Sequence, residues 1–146
     1  MSSTVLLVAN RTANTDRLRE AVSDRAARGA HAFHLVVPAV PHGLHRVVDP
    51  EVAGVIEAQA ALDLALPSLS EAAGCEVSGE VGSADPLAAI QDAMGRRRFD
   101  EIVVSTLPHR FSRWLRVDLP SKARGLGLPV AHVEAKAVPE PVLVVN

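Results

Sequence analysis

Eight of the 15 Lys and Arg residues fall between Arg96 and Arg124, against three of the 17 acids, so that stretch is +5 and the rest of the chain −7. Within it Arg110, Arg113 and Arg116 stand three apart, and Ser105, Thr106 and Ser112 place hydroxyls beside them. Guanidinium groups bind phosphate and carboxylate through paired N–H donors. The chemistry on offer is therefore capture of an anionic small molecule or of an acidic protein partner, although a solvated face produces the same run of charge. Catalysis is harder to assemble. Ser105 lacks the Gly-x-Ser-x-Gly setting of a hydrolase nucleophile, His31 and His34 fall on opposite faces of a strand, and His42 and His45 have no third ligand in view for a metal. The expectation is a non-enzymatic protein with no metal.

These residues need a scaffold, and the composition supplies one. The chain has 146 residues, 48% of them hydrophobic, enough for a single domain with its own core. The single Cys75 forms no internal disulfide, and its apolar neighbours suggest a core thiol in a reducing cytoplasm. The N-terminal Met-Ser-Ser-Thr precedes only a short apolar run without a basic flank, which argues against a signal peptide. No apolar run approaches the about 20 residues that cross a bilayer, so no membrane partner is expected. With 3% aromatic residues and no Tyr, base stacking has little to work with, and no nucleic-acid partner is expected.

The elements alternate. Thr4 to Ala9 is a continuous apolar run, as in a strand covered on both faces. A helix from about Thr15 to Arg28 follows, with Thr12 or Asn14 as cap and Gly29 as stop. Ala32 to Val37 is the second strand, ended by Pro38. Glu51 to Ala73 carries Val52, Val55, Ala58, Leu62, Leu66 and Leu69 at helical spacing, with Pro67 expected to kink or divide the helix. Glu76 to Val81 is the third strand. Asp85 and Pro86 supply a cap and first-turn proline to a helix bearing Leu87, Ile90 and Met94 and ended by Gly95. Glu101 to Ser105 is the fourth strand, followed by the Arg-rich loop, a short helix, and a fifth strand at Pro129 to Val133. Trp114 is expected to pack against the sheet edge or a partner.

Strands separated by helix-length segments, too apolar to alternate, give an α/β fold: one doubly wound, five-stranded parallel sheet with helices on both faces. Residues 1–134 form this domain. The order should reverse beside the first strand, opening a crevice at the ends of the first and fourth strands, where ligands bind in such sheets. Asn10, Arg11 and Thr12, Val37, and Ser105, Thr106, Arg110, Ser112, Arg113 and Arg116 are the candidate ligand- and anion-binding residues.

The run Val81-Gly-Ser-Ala-Asp-Pro-Leu-Ala-Ala-Ile90, followed by Phe99-Asp-Glu-Ile-Val-Val-Ser-Thr106, resembles the universal stress protein family, in which a "G-D-P-x-x-x-I" helix start leads to "D-L-I-V-x-G". The resemblance extends weakly over Thr4 to Val133. It implies a UspA-like α/β domain in the cytoplasm, often a homodimer joined along the fifth strand, and in an ATP-binding subgroup an adenine nucleotide. That subgroup carries G-x2-G-x9-G-[S/T] after the fourth strand and an Asp at the end of the first. The corresponding positions here are Ser105, Pro108, Asp118 and Leu119, with Asn10 or its neighbours in place of the Asp.

Glycines in a phosphate loop admit positive φ and close approach of the backbone. Pro108 lacks an N–H, and Asp118 is expected to cap the last helix with its carboxylate where a phosphate would sit. The reading is a homodimeric, ligand-sensing or partner-binding module without standard ATP binding; its alternative is an ATP- or AMP-binding stress protein with slow or no hydrolysis. Residues 135–146 form a C-terminal extension in which two prolines precede Val142-Leu-Val-Val145, a β-rich segment expected to add a strand at a dimer interface.

Overall fold

The structure, a computed structural model, describes residues 3–40 and 50–137. Its strands are β1 (Ser3–Val8), β2 (Ala30–Pro38), β3 (Ser78–Gly82), β4 (Glu101–Thr106) and β5 (Val130–Glu134). Its helices are α1 (Asp16–Ala27), α2 (Pro50–Ala73), α3 (Pro86–Arg96), α4 (Arg113–Arg116) and α5 (Leu119–Arg124). All pairings are parallel, in the order β3-β2-β1-β4-β5. The order reverses at β1, as the alternation of elements required. His42 and His45 and the tail strand at 142–145 lie outside the described residues.

The apolar run of β1 is continuous because both its faces are covered. Val5 and Leu7 join Phe33, Leu35 and Val37 of β2 in a core closed by Leu18 and Val22 of α1 and by Ala58, Leu62, Ala65 and Leu69 of α2. Leu6 and Val8 point the other way, into a core with Val36, Ile102 and Val104 that is closed by Ile90 of α3 and Leu119 of α5. Each buried Leu or Val contributes about 1.5–3 kcal/mol relative to exposure. Arg25 of α1 ties its helix to β4 through two bonds to Glu101, Nε to Oε1 at 3.2 Å and Nη2 to Oε2 at 3.1 Å.

Several boundaries differ from expectation. The N-cap of α1 is Thr15, whose hydroxyl donates to the Thr12 carbonyl at 2.8 Å instead of accepting from the helix; Thr12 is buried elsewhere and Asn14 accepts from Arg19. Gly95 lies inside α3, because the Arg97 N–H still reaches the Ala93 carbonyl and closes the last turn. Asp85 does cap α3, its Oδ1 accepting from the Leu87 N–H at 3.1 Å. Pro67 lies within α2 without dividing it. The inward face of α2 is rotated from the expected stripe: Val52 and Val55 are about half exposed, while Ala53, Ala58, Ala61 and Leu62 are buried. Within α2, Val52–Ala73 is long and apolar enough to cross a membrane by composition, with mean hydropathy 1.3. Its buried side chains instead pack against the sheet, as those of a core helix do. Cys75 is half-buried at the edge of that core.

The edge strand β3 is held close by two glycines. A Cβ on Gly79 would meet Leu62 Cδ1 at 2.5 Å, and one on Gly82 would meet Val36 Cγ1 at 2.8 Å and Ala89 Cβ at 2.9 Å, on opposite sides of the sheet. A polar cluster also anchors it. Buried His34 bonds Ser78 Oγ through Nδ1 at 2.7 Å and Glu80 Oε2 through Nε2 at 2.6 Å, and its ring stacks with Phe99. Glu80 also accepts from Arg96, and Arg97 Nη1 donates to Ser78 Oγ at 3.0 Å. Burial raises the Glu80 pKa, but the bonds from His34 and Arg96 outweigh it and hold the carboxyl below its usual value.

Replacing Gly79 with Ala should destabilise the fold by about 1–3 kcal/mol in urea denaturation, since Leu62 and Leu66 must leave their rotamers. The lowered Glu80 pKa predicts stability that is present above the unfolded carboxyl value and lost as pH falls through the folded one. Glu80→Gln should therefore flatten the acid limb of a stability profile measured from pH 7 down to pH 3; an unchanged slope would show that the carboxylate is not the group responsible.

Candidate functional site

β1 and β4 end side by side, and the segments leaving them enclose a cavity of about 110 Å³. Asn10, Arg11 and Thr12 come from the end of β1 and Ser105, Thr106 and Leu107 from the end of β4. Phe111, Ser112, Arg113 and Trp114 come from the loop and first turn of α4, and Val40 follows β2. Thr12 and Ser105, each 1% exposed, join their hydroxyls at 2.7 Å across the floor. That bond closes the gap that glycine at position 105 would leave open, one physical reason the cavity is small.

The remaining polar groups are positioned by local bonds. The Asn10 amide donates to the Pro38 carbonyl and so ties the end of β1 to that of β2. Ser112 caps α4, its Oγ accepting from the Leu115 N–H at 3.2 Å. The Thr106 hydroxyl donates to the Leu107 carbonyl at 2.9 Å, which leaves its oxygen to accept from His132 Nε2–H at 2.7 Å. Partial burial lowers the His132 pKa, with Glu134 opposing and Arg124 adding to the effect. Arg11 and Arg113 are the cations of the lining, and no carboxylate or imidazole of the described residues is part of it.

Seven candidate residues therefore meet: Asn10, Arg11, Thr12, Ser105, Thr106, Ser112 and Arg113. Three do not. Val37 is fully buried in the core with Leu35, and Arg116 points away from the lining on the exposed side of α4. Arg110 lines a second, wider groove of about 690 Å³ between α1 and the outer edge of β5, with His109, His132 and Glu134. Phe111, Trp114, Leu107 and Val40 were not anticipated as lining; apolar residues in irregular chain carry no period that marks them. Trp114 is half-buried against the α3 side of the core, as expected of packing, and borders the cavity as well.

Ser78, His34 and Glu80 put a hydroxyl, an imidazole and a carboxylate in series, a relation that sequence order conceals. The Ser78 hydroxyl is engaged by Arg97 and by the Phe33 carbonyl at 3.3 Å, and Ser78 lines neither cavity, so the series works as a structural tie.

No family model and no curated protein sequence matches the chain. Solved structures do. A universal stress protein from Archaeoglobus fulgidus superposes with TM-score 0.62 at 18% identity, covering 90% of this chain and 93% of that one. The A. fulgidus protein in complex with dAMP gives 0.59 at 21% identity, covering 91% and 98%. A universal stress protein in complex with cAMP gives 0.61 at 18%, covering 92% and 98%. The chain has the universal stress protein fold.

The divergence from the universal stress protein phosphate loop is now physical. Asp118 adopts φ 54° and ψ 49°, the left-handed conformation that glycine at this position permits, and it is the one non-glycine residue with positive φ among those described. It does not cap α5 through its side chain, contrary to expectation: in this conformation the carboxylate makes no bond to the helix N–H groups. Leu119, where the ATP-binding subgroup has Ser or Thr, is 1% exposed in the core against α3. A packing group stands where that subgroup has a hydroxyl.

Asp118→Gly should leave stability unchanged or raise it by up to about 1 kcal/mol, since it relieves a left-handed residue and removes no cap. Leu119→Ser should cost at least the roughly 2–5 kcal/mol of a buried Leu truncation. Chemical denaturation of the two single variants checks both; a costly Asp118→Gly would mean that the carboxylate has a stabilising partner.

Proposed function

We propose that this protein is a non-enzymatic, homodimeric ligand sensor whose crevice between the ends of β1 and β4 takes a small anion of the phosphate-monoester class, without the triphosphate mode of the ATP-binding universal stress proteins. One observation carries this reading: at the reversal point of the sheet, Arg11 and Arg113 join a ring of hydroxyls and amides with no acid among the described lining residues. The structure in complex with dAMP makes nucleoside monophosphates the first members of that class to test, with cAMP, a cyclic diester, as the comparison. The volume limits the ligand. At about 110 Å³ the cavity falls short of the roughly 300–1,000 Å³ that encloses a drug-sized ligand. The phosphate end of such a molecule fits the enclosed part, and the remainder lies against the aromatic rim of Phe111 and Trp114.

The outer edge of β5, unpaired among the described residues, supports a second copy as partner, and the reducing setting suggested by a lone cysteine supports the cytoplasm as the place of action. A second reading, ATP binding with slow or no hydrolysis, draws on the left-handed backbone that persists at Asp118.

Thermal unfolding with inorganic phosphate, AMP, cAMP and ATP separates the two. Ligand at 100 times its dissociation constant adds about 2.7 kcal/mol. Phosphate and AMP should stabilise the protein, ATP no more than AMP, and Arg11→Ala with Arg113→Ala should remove the response while preserving the ligand-free midpoint. A larger response to ATP with magnesium would favour the second reading, and no response to any anion would exclude both.

A further inference from the structure

The crevice and the wider groove beside β5 are separate openings, but one side-chain bond spans the wall between them. Thr106 lines the crevice, His132 lines the groove, and the Thr106 hydroxyl lies 2.7 Å from His132 Nε2. A third group fixes the direction of that bond. The Thr106 hydroxyl has a single proton, and it goes to the Leu107 carbonyl at 2.9 Å, an oxygen that can only accept. Nε2 must therefore supply the proton for the bond to Thr106. In the neutral ring that leaves Nδ1 as a lone pair without a hydrogen-bond partner among the described residues, on a side chain exposed at the sheet edge.

This arrangement separates the place where a proton arrives from the place where its charge acts. A proton enters at Nδ1 on the groove side, while the Nε2–H that a charged ring strengthens points at a hydroxyl of the crevice wall. Other charged and titratable groups surround the ring: Glu134 on its own strand, Arg124 on α5, His109 and Arg110 after β4, Arg17, Glu20, Asp24 and Arg25 on α1, and Lys136 beyond β5. Arg25 is paired with Asp24 and Glu101, and His109 Nδ1 stands 3.6 Å from Glu134. None of these neighbours bonds a residue of the crevice lining, whereas His132 does.

We propose that His132 gives the crevice a conditional third positive charge: protonated on its groove side, it acts through Thr106 to tighten the hold of Arg11 and Arg113 on an anion. This deepens the anion-binding reading and rests on it. His132 is a positioning residue, since it touches Thr106 and not the ligand. The sign follows from linkage. An anion in the crevice favours the imidazolium, so binding takes up a proton and affinity rises as pH falls through the titration of His132. Partial burial, with Arg124 adding to it and Glu134 opposing, draws that titration below the ordinary value of 6.5, so the rise belongs on the acid side of neutrality.

The test is NMR titration with sulfate, which keeps its double charge throughout, whereas the second ionisation of a phosphate monoester falls at about pH 6. Saturating sulfate should raise the midpoint of the His132 imidazole titration by about 0.7 pH unit or more, the equivalent of a fivefold coupling. Sulfate affinity, read from the amide signals of Thr12 and Ser105, should rise correspondingly from pH 7.5 to pH 5. H132Q places an amide N–H where Nε2–H stands but cannot take up the proton, and it should lose the rise. H109Q removes the other imidazole of the groove and should retain it. The imidazole midpoint is measured on the parent protein, so it tests the link even if a variant fails to fold. An unmoved midpoint, a rise of equal size in H132Q, or loss of the rise in H109Q would overturn the proposal. Sulfate binding that is the same at both pH values would remove the link and leave the crevice reading intact; no sulfate binding at either pH would remove both.

Discussion

Everything in this domain depends on burying β1 on both faces. Four successive residues, Val5 to Val8, are no more than 1% exposed, and their side chains alternate between two separate cores. A strand so enclosed cannot slip in register by one residue without turning Val5 and Leu7 into the opposite core. Its fixed register with β2 and β4 then determines where the chain leaves the sheet. The crevice follows from that: β1 is where the strand order reverses, so the segments departing β1 and β4 diverge to opposite layers and leave space between them. Asn10 and the Thr12–Ser105 bond draw that space in again, by linking the end of β1 to β2 on one side and to β4 on the other.

The fold was legible where local signals and global packing agree. The uninterrupted apolar run of β1, Asp85 with Pro86 ahead of α3, and the alternation of strand and helix all point to one architecture, and the solved structures with this fold bear it out. Phase was harder. α2 is apolar almost all round, so periodicity established the helix without deciding which stripe faces inward, and Val52 and Val55 turned out exposed. Gly95 shows the opposite limit: a glycine near a helix end is compatible with a stop or a continuation, and the last backbone bond decides which.

The site was partly legible for a related reason. Residues at strand ends are placed by the sheet, and Asn10, Arg11, Thr12, Ser105 and Thr106 converge as the topology requires. Val37, also near a strand end, has its side chain directed by strand alternation into the core. Beyond β4 the direction of each side chain depends on turns with no period, so three arginines of equal spacing separate: Arg113 to the crevice, Arg110 to the groove beside β5, Arg116 to solvent. Phe111 was not singled out and Trp114 was read as a packing residue alone, because nothing in a sequence distinguishes an aromatic at a rim from one in a core.

The left-handed residue at Asp118 also has a mutational consequence. Aspartate and glycine codons differ by a single base, and the backbone at 118 already holds the conformation glycine would take. A step toward the nucleotide-binding loop is therefore mutationally close and conformationally free at that position. The adjacent step is neither. A hydroxyl at 119 must come out of a packed core, and a domain of this size has little spare stability to absorb the loss. Position 118 thus accepts a change to glycine on its present backbone, whereas a hydroxyl at 119 is barred by the packing of a single buried leucine.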